Sequence, residues 1–98
     1  MLIVIGIAQA ALGRRADLIA AAQAVAAPTR SDAGCEAYGF YTNVLDDDAI
    51  LSVEIWRDQA ALDEHMTHEH TRVFIDAVGG LVAGEPVMTF YEVSAGTT

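Results

Sequence analysis

Three histidines fall within six positions, His65, His68 and His70, in the run D-E-H-M-T-H-E-H-T. Imidazole titrates near neutrality, so this stretch is where the chain can take up or release a proton at pH 7. His70 falls on one helical stripe with Phe74, Ala77 and Leu81, at i, i+4, i+7 and i+11, and is therefore expected to look inward. It is the first candidate for a general base. His65 shares a face with Leu62 and Met66 and is the second. With Thr67 as N-cap, His70 lies in the first turn of a helix, where the positive helix end disfavours imidazolium; His65, at the end of the preceding helix, is expected to titrate higher. A metal site is not predicted. On a continuous helix His65 and His68 share a face, but His70 lies about 140° from His65, and no nearby Cys completes a zinc pattern. A break at Thr67 would change that geometry. His68 is expected at the first helical position, exposed to solvent.

Other side chains suit a planar substrate. Trp56 and Tyr38 are amphipathic aromatics of the kind that wall a pocket, with core or interface packing as the alternative, and Phe74 lies one turn from His70. Glu36 shares a strand face with Tyr38 and Phe40, where an unpaired buried carboxylate is costly; either that end of the strand is wet or the acid lines the pocket. Glu54 is expected to pair with an arginine across the sheet or a dimer, and Cys35 to act as a small apolar residue. The acids of N-V-L-D-D-D lack the pattern of a calcium loop.

These side chains need elements to hold them. Residues 2–10, LIVIGIAQA, are apolar on both alternating faces, which predicts a strand covered on both sides, by helices on one and by a partner on the other. Gly13 closes a turn, and a helix is expected from Arg14 to about Ala27, with Leu18, Ala22, Val25 and Ala26 inward and Pro28 kinking or ending it. Gly34 turns the chain into a strand over 35–42; N-V-L-D-D-D reads as a solvated connection to a third strand over 49–56. There Leu51, Val53 and Ile55 alternate with Ser52, Glu54 and Trp56. Asp58 suits a helix N-cap, the helix restarts at Thr67, and Gly79-Gly80 mark its end. A last strand is expected over Glu85–Val93, with Ser94–Thr98 frayed. The order β-α-β-β-α-β is the ferredoxin-like arrangement, an α+β fold in a single domain over 1–98.

Composition sets further bounds. Of 98 residues 53% are hydrophobic, while Lys and Arg together number five. A chain this short buries only about two-thirds of its unfolded surface, so the surplus apolar area predicts a homodimer. A net charge of −9 argues against nucleic acid and against an anionic membrane. The lone Cys35 allows no intramolecular disulfide, and LIVIGIA lacks a preceding basic region and is too short to span a bilayer; both point to the cytoplasm.

Gly13, Gly34-Cys35 with Tyr38, and above all E-I-W-R-D-Q-A-A-L-D-E-H followed by T-H-E-H, carry a resemblance. Glu54, Trp56, Leu62, His65 and His70 match a pattern by which the chain resembles the antibiotic biosynthesis monooxygenase family, small dimeric α+β barrels. The resemblance implies two ferredoxin-like subunits whose sheets pack face to face, helices outside. It also implies oxidation of anthrones or hydroquinones by O2 without flavin, haem or metal. An electron-rich phenolate can itself pass an electron to oxygen, so the protein need only deprotonate it, keep it dry and orient it. No G-x-G-x-x-G and no P-loop competes. A haem-degrading branch of these proteins uses an Asn in the first strand, a Trp, and a haem-ligating His ten residues later; here the first strand has no Asn, the Trp position is His65, and ten beyond lies Ile75. The expectation is a cofactor-independent monooxygenase or quinol oxidase acting on a small electron-rich aromatic. His70 and His65 would do the proton work, Trp56, Tyr38, Phe74 and Glu36 would contact substrate, and no cofactor or metal is expected. The alternative is a non-catalytic small-ligand-binding or structural dimer, since fold does not settle function. Free space beside His70 for an aromatic ring discriminates between them.

Overall fold

The computed structural model describes residues 1–94. Strands β1 (Leu2–Gln9), β2 (Cys35–Asn43), β3 (Asp46–Trp56) and β4 (Val87–Glu92) form one antiparallel sheet in the order β2-β3-β1-β4. Helices α1 (Arg15–Arg30), α2 (Gln59–His65) and α3 (Glu69–Val78) complete a ferredoxin-like βαββαβ fold, the second helical unit being split in two.

Register decides which side chains meet the helices. Val4 pairs with Glu54, and Glu54 with Tyr38; Leu2 pairs with Trp56. These residues are all buried, and the apolar ones form the larger core with Val25, Ala61 and Leu62. The aliphatic set of β3 therefore faces away from the helices. Ile3, Ile5 and Ile7 pair with Ile55, Val53 and Leu51 on that far side, where Tyr41, Val87 and Tyr91 join them. Nothing among the described residues covers this face, and Ile7 and Val87 stay more than half exposed. In a solvated sheet the polar residues would point outward; here the order is reversed.

Three expectations shift. Helix α1 runs past Pro28 to Arg30, because the missing donor falls in the last turn, and Ser31 and Asp32 close it by donating to the Pro28 and Thr29 carbonyls. The acids at 46–48 belong to β3, and the turn is made by Val44 and Leu45, with Leu45 N donating to Asn43 Oδ1 at 2.8 Å. The last strand is shorter at both ends, and the fraying expected at the C-terminus concerns in part residues 95–98, which lie outside the described residues. Among the described residues no helix is long and apolar enough to cross a membrane.

Candidate active site

The break between α2 and α3 brings the three histidines together. Asp58 caps α2 as expected, accepting from Ala61 N at 2.9 Å, and α2 ends at His65. The expected cap of α3 at Thr67 is not found: Thr67 Oγ1 donates back to the Glu64 carbonyl at 2.7 Å, and His68 takes the N-cap position with no side-chain capping bond. Residues 66–68 turn the chain so that His68 and His70 point back toward His65.

They converge on Asp32, 33 residues earlier than His65. Asp32 Oδ2 lies 2.8 Å from His65 Nδ1 and 3.0 Å from His70 Nε2, while Oδ1 lies 3.1 Å from His68 Nδ1. Two backbone contacts bring this acid into place. Its N–H closes the end of α1 on the Thr29 carbonyl, and the Gly34 carbonyl accepts from Arg57 N at 2.8 Å. Gly34 has φ +77°, and a Cβ there would stand 2.5 Å from Ala61 Cβ, so glycine is what allows this turn to lie directly on α2. Thr71, buried in the first turn of α3, donates to the His65 carbonyl at 2.7 Å and locks the joint from beneath.

Electrostatics follow from burial and these contacts. Burial alone would raise Asp32, but the bonds from His65 and His70 and the His68 ring beside it outweigh that and hold its carboxyl below the ordinary value. His65 is pushed down, chiefly by desolvation, against the pull of Asp32. The expectation that His65 titrates high is thus reversed: it is buried, with its ring 4.6 Å from that of Trp56, and loss of solvent exceeds the helix-end field. If Asp32 is the carboxylate and His70 Nε2 carries the shared proton, His70 Nδ1 is left as an acceptor.

His70 and Phe74 line a groove of about 460 Å³ between α1 and α3. Its space comes from alanines, Ala21 and Ala24 on α1 and Ala77 on α3. A second groove of about 350 Å³, between α1 and the sheet, is walled by Ile19, Phe40 and Ile50. The other side chains expected at substrate fall elsewhere. Trp56 is fully buried beneath His65 and donates Nε1–H to Glu54 Oε1 at 3.0 Å. Tyr38 is buried as well, its hydroxyl pushed up by burial and then by the charge of Glu54. Neither lines either of these two grooves. Glu36 is exposed, so its strand end is wet. The arginine expected for Glu54 is absent among the described residues; Trp56, two residues on and on the same face, replaces it, and burial raises the Glu54 pKa. His68, expected exposed, is half-buried. Sequence spacing does not reveal Asp32 or Thr71. Thr71 carries no periodic signal, and for Asp32 the one local hint is an acid among small residues, Ser31, Ala33 and Gly34, in a turn able to approach another element closely.

Known proteins agree with this architecture. The chain is similar to the uncharacterized protein sll1783 of Synechocystis, 31% identical over 81 residues that make up 83% of this chain. It spans only 55% of that protein's length. Among solved structures, PA3566 from Pseudomonas aeruginosa superposes with a TM-score of 0.88 at 30% identity, covering 96% of this chain and 94% of that one. Rv0793 from Mycobacterium tuberculosis gives 0.92 at 26% identity, covering 99% and 98%. The family profile described as antibiotic biosynthesis monooxygenase matches residues 1–77, a span that holds Asp32 and all three histidines. With residues 1–77 matched by that profile and the fold shared over 96% of the chain, the protein belongs to the antibiotic biosynthesis monooxygenase family.

Proposed function

We propose that this protein oxidises a small electron-rich aromatic, an anthrone or a hydroquinone, with O2 and without a bound organic cofactor. The observation that carries the reading is His70, held through Nε2 by the Asp32 carboxylate at the wall of an apolar groove of about 460 Å³. That volume falls within the range of small-molecule sites. His70 Nδ1 accepts the phenolic proton, and Phe74 offers a ring against which a planar substrate packs. The phenolate then gives electrons to O2: a hydroquinone plus O2 becomes a quinone plus H2O2, and an anthrone plus O2 becomes an anthraquinone plus water. Asp32 fixes the His70 tautomer and stabilises the imidazolium formed in the proton transfer. His65, buried between Trp56 and Asp32, does not line the groove and supports Asp32 rather than the substrate.

The same reading includes a homodimer formed through the far face of the sheet. Ile3, Ile5, Ile7, Leu51, Val53 and Ile55 make a continuous apolar surface there, and a second copy presenting the same residues would cover it.

The test is oxygen consumption by purified protein over a panel of anthrones and hydroquinones, with His70→Ala alongside. A general base contributes roughly 10²–10⁴-fold, so the variant should lose activity by about that factor while keeping its circular dichroism spectrum. A folded His70→Ala protein with full activity would make His70 a packing residue and end this mechanism.

A further inference from the structure

We infer that Asp32, His65, His68 and His70 form a binding site for a divalent first-row transition ion, Zn2+ foremost. Four potential ligand atoms, one carboxylate oxygen and three imidazole nitrogens, lie within 4.8 Å of one another. A tetrahedral zinc centre with bonds of about 2.0–2.1 Å has ligand–ligand edges of roughly 3.4 Å. The longest of these separations therefore has to shorten by about 1.4 Å, through side-chain rotation. Its composition is selective. Three imidazoles and one carboxylate suit zinc and its neighbours, whereas Mg2+ and Ca2+ demand oxygen ligands. With the three imidazoles neutral, the ligand set carries the single negative charge of Asp32, in a chain of net charge −9.

One detail separates this site from a simple hydrogen-bonded hub. His65 and His70 direct ring nitrogens at Asp32 in hydrogen-bonding geometry. His68 does not. Its Nδ1 is buried and 3.1 Å from Asp32 Oδ1, yet it makes no hydrogen bond. A buried ring nitrogen without a partner is costly, and a cation drawn into the cluster would meet it together with the other three atoms. Access is available from one side. The Asp32 and His65 side chains are 8% and 4% exposed, whereas those of His70 and His68 are 24% and 31% exposed, so the inner pair is fixed and the outer pair opens to solvent.

Binding itself is independent of the oxidation reading. One consequence does rest on that reading: a metal on His70 Nε2 leaves the ring proton on Nδ1, so the loaded site has no acceptor for a phenol and the metal-free form is the active one.

The experiment is competition for Zn2+ between the chelator-stripped protein and a chromophoric chelator, with no turnover involved. Wild type should take up one equivalent with a Kd below about 1 μM, undisturbed by millimolar Mg2+. His68→Ala and Asp32→Asn should each weaken binding by more than the roughly 10–100-fold that loss of an outer-shell partner costs. His68 is the most exposed of the three rings, so its alanine variant should fold without metal, and it carries the test if Asp32→Asn does not fold. The inference is overturned if wild type does not compete, or if His68→Ala binds Zn2+ as tightly as wild type, which would place the ion on the surface acids instead.

Discussion

Glu54 is the side chain whose environment differs most from what its type suggests. It sits on the helix-facing side of β3 among Val4, Tyr38 and Trp56, accepting a hydrogen bond from the indole N–H, and burial raises its pKa. The sign of the linkage follows. The folded chain keeps the Glu54 proton to higher pH than the unfolded chain, whose Glu titrates near about 4.3. Between those two values the native state binds more protons, so stability falls as pH rises through the interval and levels off above the folded value. Glu54→Gln keeps an oxygen for Trp56 and removes the titration. Thermal melts between pH 4 and 7 should show a decline in wild-type Tm, relative to the variant, as pH rises. Parallel curves would mean that Glu54 is hydrated in solution.

At the level of elements, the joint between the 31–35 turn and α2 is what assembles the site. Asp32 reaches the histidines only because Gly34, at φ +77°, lets the backbone lie against Ala61. Gly34→Ala would meet that side chain at 2.5 Å and force an alanine into the left-handed region. Strain of about 1–3 kcal/mol from the backbone and a similar overpacking cost give an expected loss of roughly 2–6 kcal/mol in chemical denaturation. A loss under about 0.5 kcal/mol would show that the turn can move off α2 freely. The split between α2 and α3 matters equally. On a continuous helix His70 would lie about 140° from His65, and one carboxylate could not accept from both.

The whole molecule is governed by its sheet. One face carries Trp56, Glu54 and Tyr38 beneath the helices; the other is mainly aliphatic and aromatic, with Thr89 among its residues, and nothing among the described residues lies over it. Specific association buries at least roughly 1,200 Å² in total, and a four-stranded apolar face offers a suitable surface. Light scattering at micromolar concentration should give the mass of two chains. Ile7→Glu places a charge on that face at a position already more than half exposed in one chain, so it should yield a folded monomer. A wild-type monomer, or an Ile7→Glu dimer, would contradict the sheet-to-sheet arrangement.

Much of this was present in the chain itself. The period-two runs, the three-and-four spacing after Asp58 and the glycines at 13 and 34 determined the βαββαβ order, because local periodicity and turn chemistry act over a few residues. His70 and Phe74 on one inward stripe were equally local. Periodicity does not say which of two apolar strand faces meets the helices, so Trp56 and Tyr38 looked like pocket walls when they are core. It also carries no signal for a contact between His65 and a residue 33 positions earlier. Only the folded chain decided that Asp32, one acid in a loop of small residues, would gather all three histidines, because that meeting depends on a glycine turn packing on α2 and on a helix break whose angle no sequence spacing encodes.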